Sequence, residues 1–493
     1  VSQKSSLYDV LIIGGGVVGC SIARELSRYQ LKIAVLEKES DVGWGISCRN
    51  SGVVHAGFNY TPDTLRAQLC VNGNKTFEKL CRELDVPFKK IGKLVVALKR
   101  EEVEDLERLK EQGQKNCVKG LRIVDEKKLK KAEINIRGVA ALYSPNTAIT
   151  SPYGLTIALA ENAHKNGVHF FLNTEVTNLR KFHNQFEILT NKKNFKTRYL
   201  INCAGLYSDK ISRMAGAEKY RIHPCRGEYF VLDKNASHLA NHLVYPVPKA
   251  GSSGLGVHIT PTVDGNILLG PSNEYIKKRD NLSATSKVMK KLIAESRDFL
   301  PLVSNQDVIR SYSGIRAKQA PSSEGGFWDF VIEESKLVSC FINLVGIESP
   351  GLTAVQPIAQ KVVQMVNRKE NLKRNVNFTP FRKGILCFDE QSEEIKKALI
   401  KKDPDYGEII CRCEKVTKKE IMQAINNPLG TKDLISIKYR CRAMMGRCQG
   451  GYCLTRIIEL LREKYQLKPE EITLKGKHSF LLTGYRSNEV KIS

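Results

Sequence analysis

Tyr8-Asp-Val-Leu-Ile-Ile13, then Gly14-Gly-Gly16-Val-Val-Gly19, then the run from Cys20 to Tyr29 decide the fold of this chain. The first segment is a short apolar run that suits a buried strand. The glycines suit a tight turn, and the third segment suits a helix. Lys32 to Glu37 supplies a second strand, so the unit is β-α-β and a parallel sheet follows from it. In that setting the spacing Gly14-x-Gly16-x-x-Gly19 is a dinucleotide fingerprint. Gly14 permits the turn, Gly16 lets a diphosphate approach the backbone, and Gly19 lets helix pack on sheet. The helix N-terminus stabilises a diphosphate through its free N–H groups and dipole. Glu37 is placed to accept hydrogen bonds from adenosine ribose hydroxyls. Val10 to Ala23, with Val17-Val18-Gly19-Cys20 inside it, superficially matches a lipoprotein signal. The three consecutive glycines interrupt the apolar run and favour strand-turn-helix instead.

Working outward, a charge-rich stretch from about Thr64 to Leu129 is expected to be helical. A second α/β piece follows, with a helix from Ser151 to Asn166 and strands near His169 to Leu172, Phe186 to Leu189 and Tyr199 to Gly205. Ile222 to Phe330 is expected to be mostly β, with alternation at Gly227 to Leu232 and Gly265 to Leu269. Leu337 to Val345 is a buried strand, and Gly351-Leu-Thr353 opens a helix to about Val366. Residues 371–406 form a linker with a short helix. A small cysteine domain occupies 407–460, and the tail 461–493 carries a strand pair near Ile472 and Phe480.

The 493 residues allow two to four domains, and 42% hydrophobic with 26% charged residues is the composition of a chain that buries a core. A net charge of +26 is spread along the chain. It suits attraction of anionic substrates or a solvated lysine-rich surface; no basic-aromatic stripe singles out nucleic acid. No run reaches the ~18 apolar residues a membrane-spanning helix needs, which leaves room only for peripheral membrane contact. Nine of the fourteen cysteines are scattered, often in apolar runs, as expected for a reducing, cytoplasmic compartment.

The other five lie between Cys411 and Cys453. Cys411-Arg-Cys413 and Cys448-Gln-Gly-Gly-Tyr-Cys453 form two tight pairs, a four-thiolate set that suits zinc or an iron–sulfur cluster. Cys441 fits neither pair.

Ser47-Cys-Arg49-Asn50-Ser51-Gly52-Val-Val-His55-Ala-Gly57 resembles the FAD-dependent amino-acid and hydroxy-acid oxidoreductase superfamily, and the resemblance covers roughly residues 7–368. Thr174-Glu-Val176 and Ala204-Gly205 resemble its adenosine-side contacts. Arg226-Gly-Glu-Tyr229, Gly256-Val-His258, Gly314-Ile-Arg316-Ala-Lys318 and Gly346-Ile-Glu-Ser-Pro-Gly351-Leu352-Thr353 resemble L-2-hydroxyglutarate oxidases. The cysteine segment resembles the bacterioferritin-associated-ferredoxin-like [2Fe-2S] domain, with the cluster on Cys411, Cys413, Cys448 and Cys453. The implied architecture is α/β: an FAD-binding Rossmann-like domain (segments about 1–63, 150–218 and 331–370) interleaved with an α+β substrate domain (about 64–149 and 219–330), plus a small helical [2Fe-2S] domain.

The resemblance implies FAD along Gly14, Gly16, Gly19, Glu37, Arg49, Asn50, Ser51, Val176, Ala204, Gly205, Gly346, Gly351, Leu352 and Thr353. Flavin oxidation of an alcohol needs a proton acceptor, a carbon-bound hydrogen facing N5, and an anchor for the substrate's charge. His55 and His258 are the candidate bases. Arg316 is the candidate anchor for carboxylate or phosphate, with Lys318 as its assistant. The active-site segments lean toward L-2-hydroxyglutarate. The fusion to an iron–sulfur domain resembles anaerobic-type glycerol-3-phosphate dehydrogenases. The leading expectation is therefore oxidation of sn-glycerol 3-phosphate to dihydroxyacetone phosphate, then of a 2-hydroxy acid, then of an amino acid. Electrons would leave through the cluster to a redox partner protein or quinone-linked subunit. A non-catalytic electron-transfer protein is the alternative from another class, and the histidines and Arg316 argue against it.

Overall fold

The computed structural model describes residues 7–248 and 256–482. The chain forms two compact units. One runs to Lys38 and resumes over Val42–Lys383; the other comprises Glu39–Asp41 and everything from Gly384.

The opening β-α-β unit forms as its sequence dictates. Leu7–Ile13 is a strand, Val17–Leu26 a helix and Ile33–Leu36 the parallel neighbour, with Val10 opposite Ile33. On its other side Leu7–Ile13 pairs in parallel with Phe195–Asn202, Val10 facing Tyr199. His169–Phe171 and Phe341–Val345 extend the parallel sheet outward, and two hairpin strands, Val176–Phe182 and Gln185–Thr190, flank it antiparallel. The central strands are apolar on both faces because both are covered, one by helices and the other by the hairpin strands with the helix Ser208–Met214. Val10, Ile12, Val35 and Ile201 are fully buried with Ile358 and Val362 of the helix Val355–Glu370. Each such side chain contributes about 1.5–3 kcal/mol of burial.

A second, nine-stranded sheet carries the substrate-side residues. Its long pair is His223–Leu232 against Val308–Lys318, antiparallel, with Cys225 opposite Arg316. His258–Pro261, Ile267–Gly270 and Leu243–Pro246 continue it, and Leu243–Pro246 pairs in parallel with Lys93–Ala97.

Three local expectations are corrected, and the mostly β segment 222–330 gains one helix. The stretch 64–129 is not all helix: Phe88–Lys89, Lys93–Ala97 and Arg122–Asp125 are strands between the helices Leu65–Leu84, Val103–Lys115 and Glu126–Ala132. Leu94-Val-Val-Ala97 is a short β-branched run whose signal the surrounding charge conceals. Within 222–330, Ser286–Phe299 is a helix that buries Leu292, Ile293, Ser296 and Phe299 at helical spacing. The strand expected from Leu337 begins at Phe341, because Cys340 takes a left-handed φ of 61° that breaks the extended run. The last helix of this unit begins at Val355; Pro350 to Thr353 wind through turns before it. Among the described residues no helix is long and apolar enough to cross a membrane.

Residues 371–383 pack on the first unit rather than forming a free tether: Asn375 N–H donates to Arg28 O and Arg382 N–H to Glu83 O. The expected short helix is Glu393–Lys402. In the second unit Ile409–Cys411 pairs with Val416–Thr417, and three helices, Lys418–Ile425, Leu434–Cys441 and Leu454–Tyr465, enclose a core of Ile421, Ile425, Ile437, Ile457 and Leu461. Thr417 and Glu420 close a reciprocal capping box at the first of these helices. Ile472, from the expected tail, belongs to the same core, and the tail's strand pair reduces to one bridge between Thr473 and Phe480.

Candidate active site and cysteine centre

The glycine turn sits at the carboxyl ends of the parallel strands, where open α/β sheets bind ligands. Gly14 has φ +109°, and a Cβ there would stand 2.4 Å from Cys203 O. A Cβ on Gly19 would stand 2.0 Å from Gly14 O, so helix and turn are in contact. At Gly16, the helix N-cap, no backbone atom stands in the way; the nearest atom is Ser47 Oγ at 3.2 Å. The turn thus leaves its approach side open at the one glycine whose task is to admit a diphosphate. One Glu37 oxygen accepts from Gly15 N–H at 2.7 Å, and Glu37 O accepts from Thr174 N–H at 2.8 Å. That bond ties the start of the Thr174–Val176 segment to the Glu37 main chain. Ala204 and Gly205 follow Cys203 beside Gly14.

The residues expected along the rest of the cofactor gather from three elements. Asn50 folds its own loop, its amide donating to Ser47 O and its Oδ1 accepting from Gly52 N–H. Arg49 donates to Ser313 O at 3.2 Å, and Gly314 lies so close to Arg49 O that a Cβ would stand 2.1 Å away. Ser51 reaches the Tyr229 hydroxyl. Gly346 has φ +69° with the Gln319 amide against it. Gly351, Leu352 and Thr353 lie in the turns ahead of the helix Val355–Glu370, and Thr353 Oγ1 accepts from His55 N–H at 2.9 Å.

Both candidate bases belong to one site. His55 Nε2 lies 3.4 Å from Ser349 Oγ, which also meets the Tyr60 hydroxyl at 3.3 Å. His258 opens the strand His258–Pro261, is 5% exposed, and stacks on Tyr245 at 3.6 Å between ring centres. Its Nδ1 has no hydrogen-bond partner. Burial, reinforced by the charge of Lys93, holds both imidazoles far below their usual range. Both are therefore neutral near pH 7, the form that can accept a proton. Arg316 and His55 act on His258 as well.

Arg316 is half-buried. Its Nη1 and Nη2 donate to Ser272 O at 3.3 Å, and Tyr229 lies alongside. A carbonyl takes part of the fork, and among the described residues no carboxylate pairs with the guanidinium directly, although the charge of Glu348 acts on it from further off. Lys318 is differently employed. It is fully buried, donates to Gly326 O at 3.0 Å, and lies 3.6 Å from Glu348, which also receives Arg66 at 3.3 Å.

Sequence reasoning missed Lys93 and Tyr245, and named Tyr229 only as part of a motif. Lys93 is 1% exposed, its Nζ has no hydrogen-bond partner, and it sits 3.5 Å above the Tyr245 ring. Burial pushes its ammonium down to about 7. The available signal was a lysine heading an otherwise apolar run.

The four expected cysteine ligands stand as two pairs, Cys411 with Cys453 and Cys413 with Cys448, each within hydrogen-bonding reach. Cys411 and Cys453 are buried; Cys413 and Cys448 are exposed. Met444 N–H points at both Cys411 and Cys453, and the backbone at Gly450 and Tyr452 points at Cys448. N–H groups aimed at sulfur are what a thiolate-bound cluster uses. Gly446 lets this loop close on Cys413, where a Cβ would stand 2.3 Å from Cys413 Cβ. Among the described residues no three His, Cys, Asp or Glu side chains converge on one point. Cys441 donates to Ile437 O at 3.3 Å inside the core, apart from both pairs.

A Rossmann-like sheet with an open glycine turn, a buried histidine–arginine site on a second sheet, and a four-cysteine module define a flavin-dependent oxidoreductase joined to an iron–sulfur domain. The chain belongs to the FAD dependent oxidoreductase family, whose model matches residues 9–365; the BFD-like [2Fe-2S] binding domain matches residues 409–463. It is 41% identical over 488 residues to a glycerol 3-phosphate dehydrogenase of Caloramator mitchellensis, covering 98% of this chain and 100% of that one. It is 34% identical over 413 residues to the mitochondrial L-2-hydroxyglutarate dehydrogenase of Nematostella vectensis, covering 73% and 90%. Among solved structures it resembles the FAD-bound, dithionite-reduced L-alpha-glycerophosphate oxidase of Mycoplasma pneumoniae, with a TM-score of 0.72 at 30% identity over 76% of this chain and 98% of that one. The cofactors are FAD and a [2Fe-2S] cluster.

Proposed function

We propose that this chain is a dehydrogenase for a small anionic alcohol, with sn-glycerol 3-phosphate as substrate and dihydroxyacetone phosphate as product. The observation that carries the reading is one site holding two neutral imidazoles beside a guanidinium that, among the described residues, no carboxylate pairs with directly. The full-length likeness to the Caloramator protein, across both domains, directs the choice of substrate.

Gly14, Gly16, Gly19, Glu37, Ala204 and Gly205 hold the adenosine diphosphate end of FAD, with Val176 near the adenosine. Arg49, Asn50, Ser51, Gly346, Gly351, Leu352 and Thr353 line its flavin end. Bound FAD supplies a two-electron acceptor for the carbon-bound hydrogen, and the cluster supplies a one-electron carrier. Arg316 anchors the phosphate. His55 or His258 takes the hydroxyl proton, and neither imidazole has to be deprotonated first. Lys318, paired with Glu348, shapes the site from behind. Electrons leave singly to a redox partner protein or quinone-linked subunit, in a reducing, cytoplasmic compartment.

L-2-hydroxyglutarate is the second reading, because the Nematostella relative is 34% identical across 73% of this chain. Anaerobic mixing with glycerol 3-phosphate, L-2-hydroxyglutarate, L-lactate and amino acids separates the readings by which substrate bleaches the flavin. Bleaching by none would leave the dehydrogenase reading without support. With the active substrate, Arg316→Ala should raise KM at least tenfold; an unchanged KM would remove Arg316 as anchor.

A further inference from the structure

Lys93 is a buried cation without a hydrogen-bonding partner, and it stands in the site just described. It heads a strand whose five residues are all buried. Two rings lie against it, Tyr245 at 3.5 Å and Phe58 at 5.0 Å. One further polar atom is unpartnered in the same place, Nδ1 of His258, whose ring stacks on Tyr245. An ammonium in such surroundings is costly unless something with an oxygen atom completes it. Its position is distinct from that of Arg316. Lys93 stands over the Tyr245 ring, which stacks on His258, whereas Arg316 is held at Ser272 O. The site therefore has two cations held by different neighbours, one against the Tyr245–His258 ring stack and one at Ser272.

We propose that Lys93 is a catalytic residue of this oxidation, its ammonium receiving the oxygen of the hydroxyl group being oxidised while Arg316 holds the substrate's anionic end. The inference rests on the reading above. In the reaction the hydroxyl O–H bond breaks and its proton goes to an imidazole. The carbinol carbon gives its hydrogen and electron pair to FAD, and the C–O single bond becomes a carbonyl. Negative charge builds on oxygen when the proton departs ahead of the hydride. A fixed cation there favours the transition state more than the bound alcohol. A cation at the reacting oxygen changes kcat, whereas one at the remote anion changes KM.

The test uses the holoenzyme carrying Lys93→Met and, separately, Lys93→Arg. Flavin reduction by the active substrate is followed anaerobically, with FAD content and melting temperature measured on the same samples. Lys93→Met should keep its FAD, melt at or above the wild-type temperature, and reduce its flavin about 100-fold or more slowly at saturating substrate. Its KM should stay within about threefold of wild type, and the deuterium isotope effect at the carbinol carbon should not fall. Lys93→Arg, which keeps the charge, should reduce faster than Lys93→Met. Reduction of Lys93→Met within threefold of wild type overturns the proposal. So does a lower melting temperature or lost FAD in both variants, which would assign Lys93 to the fold. If wild type itself is reduced by no substrate in the panel, the dehydrogenase reading fails first and separately.

Discussion

Glu348 carries two buried cations on one carboxylate, Arg66 at 3.3 Å and Lys318 at 3.6 Å. Removing its charge would strand both. Glu348→Gln should therefore destabilise the first unit by about 3–5 kcal/mol, read as a lowered denaturation midpoint with FAD bound. Lys93 sets a different, pH-dependent behaviour. Its charged and titratable neighbours are Cys70, His55, Tyr245 and His258, and burial outweighs them to bring its ammonium down to about 7. If Lys93 serves the reacting oxygen, kcat/KM for flavin reduction should fall above pH 7 as the ammonium deprotonates, up to tenfold per pH step. Lys93→Met should abolish that limb. Any histidine limb should lie well below pH 6.5, because burial and the Lys93 charge hold both imidazoles below their usual range. The stability effect has the opposite course. From pH 10.5 down to about 7 the unfolded chain binds the Lys93 proton and the folded one does not. Folding thus loses stability as pH falls through that window, and the loss is constant below it. The melting advantage of Lys93→Met should be full below pH 7 and absent near pH 10.5. The histidines and Arg316 were legible in sequence because glycine-marked motifs surround them. Lys93 was not, since its meaning depends on Tyr245 and His258, which arrive from strands far along the chain.

At the scale of elements, the opening β-α-β unit was legible because strand, turn and helix signals agree within thirty residues. The strand Lys93–Ala97 was lost inside a charged stretch because its pairing partners, Leu243–Pro246 and Ala140–Ser144, are remote. The same remoteness conceals the role of Gly73. It lies within the helix Leu65–Leu84, where alanine would raise intrinsic helix stability by about 1 kcal/mol. Yet a Cβ on Gly73 would stand 2.0 Å from Thr353 O, and Thr353 Oγ1 accepts the His55 N–H bond. Tertiary contact overrides propensity here. Gly73→Ala should lower the melting temperature and the FAD-to-protein ratio together, because helix and turn must separate. An unchanged ratio with a raised melting temperature would mean that the helix is free of this turn.

At the scale of the whole molecule, the two cofactors call for two accounts of the electrons. The cysteine pairs were legible from spacing alone, and their division into a buried pair and an exposed pair was not, because exposure is set by the three helices packed around them. Spacing also left zinc and iron–sulfur open, since both accept four thiolates. A zinc site stores no electrons. A flavin accepts two and a [2Fe-2S] cluster one. Anaerobic titration of the holoenzyme with dithionite should therefore consume three electron equivalents, with flavin and cluster absorbance bleaching in separable phases. Cys448→Ser removes a ligand from the exposed pair, and that variant should consume two. Cys441→Ser, in the core and outside both pairs, should still consume three. Substrate should bleach the flavin of Cys448→Ser as fast as that of wild type, because no cysteine of either pair belongs to the histidine–arginine site. If Cys448→Ser slows the first flavin reduction as well, the assignment of oxidation to one set of residues and onward transfer to the other is wrong.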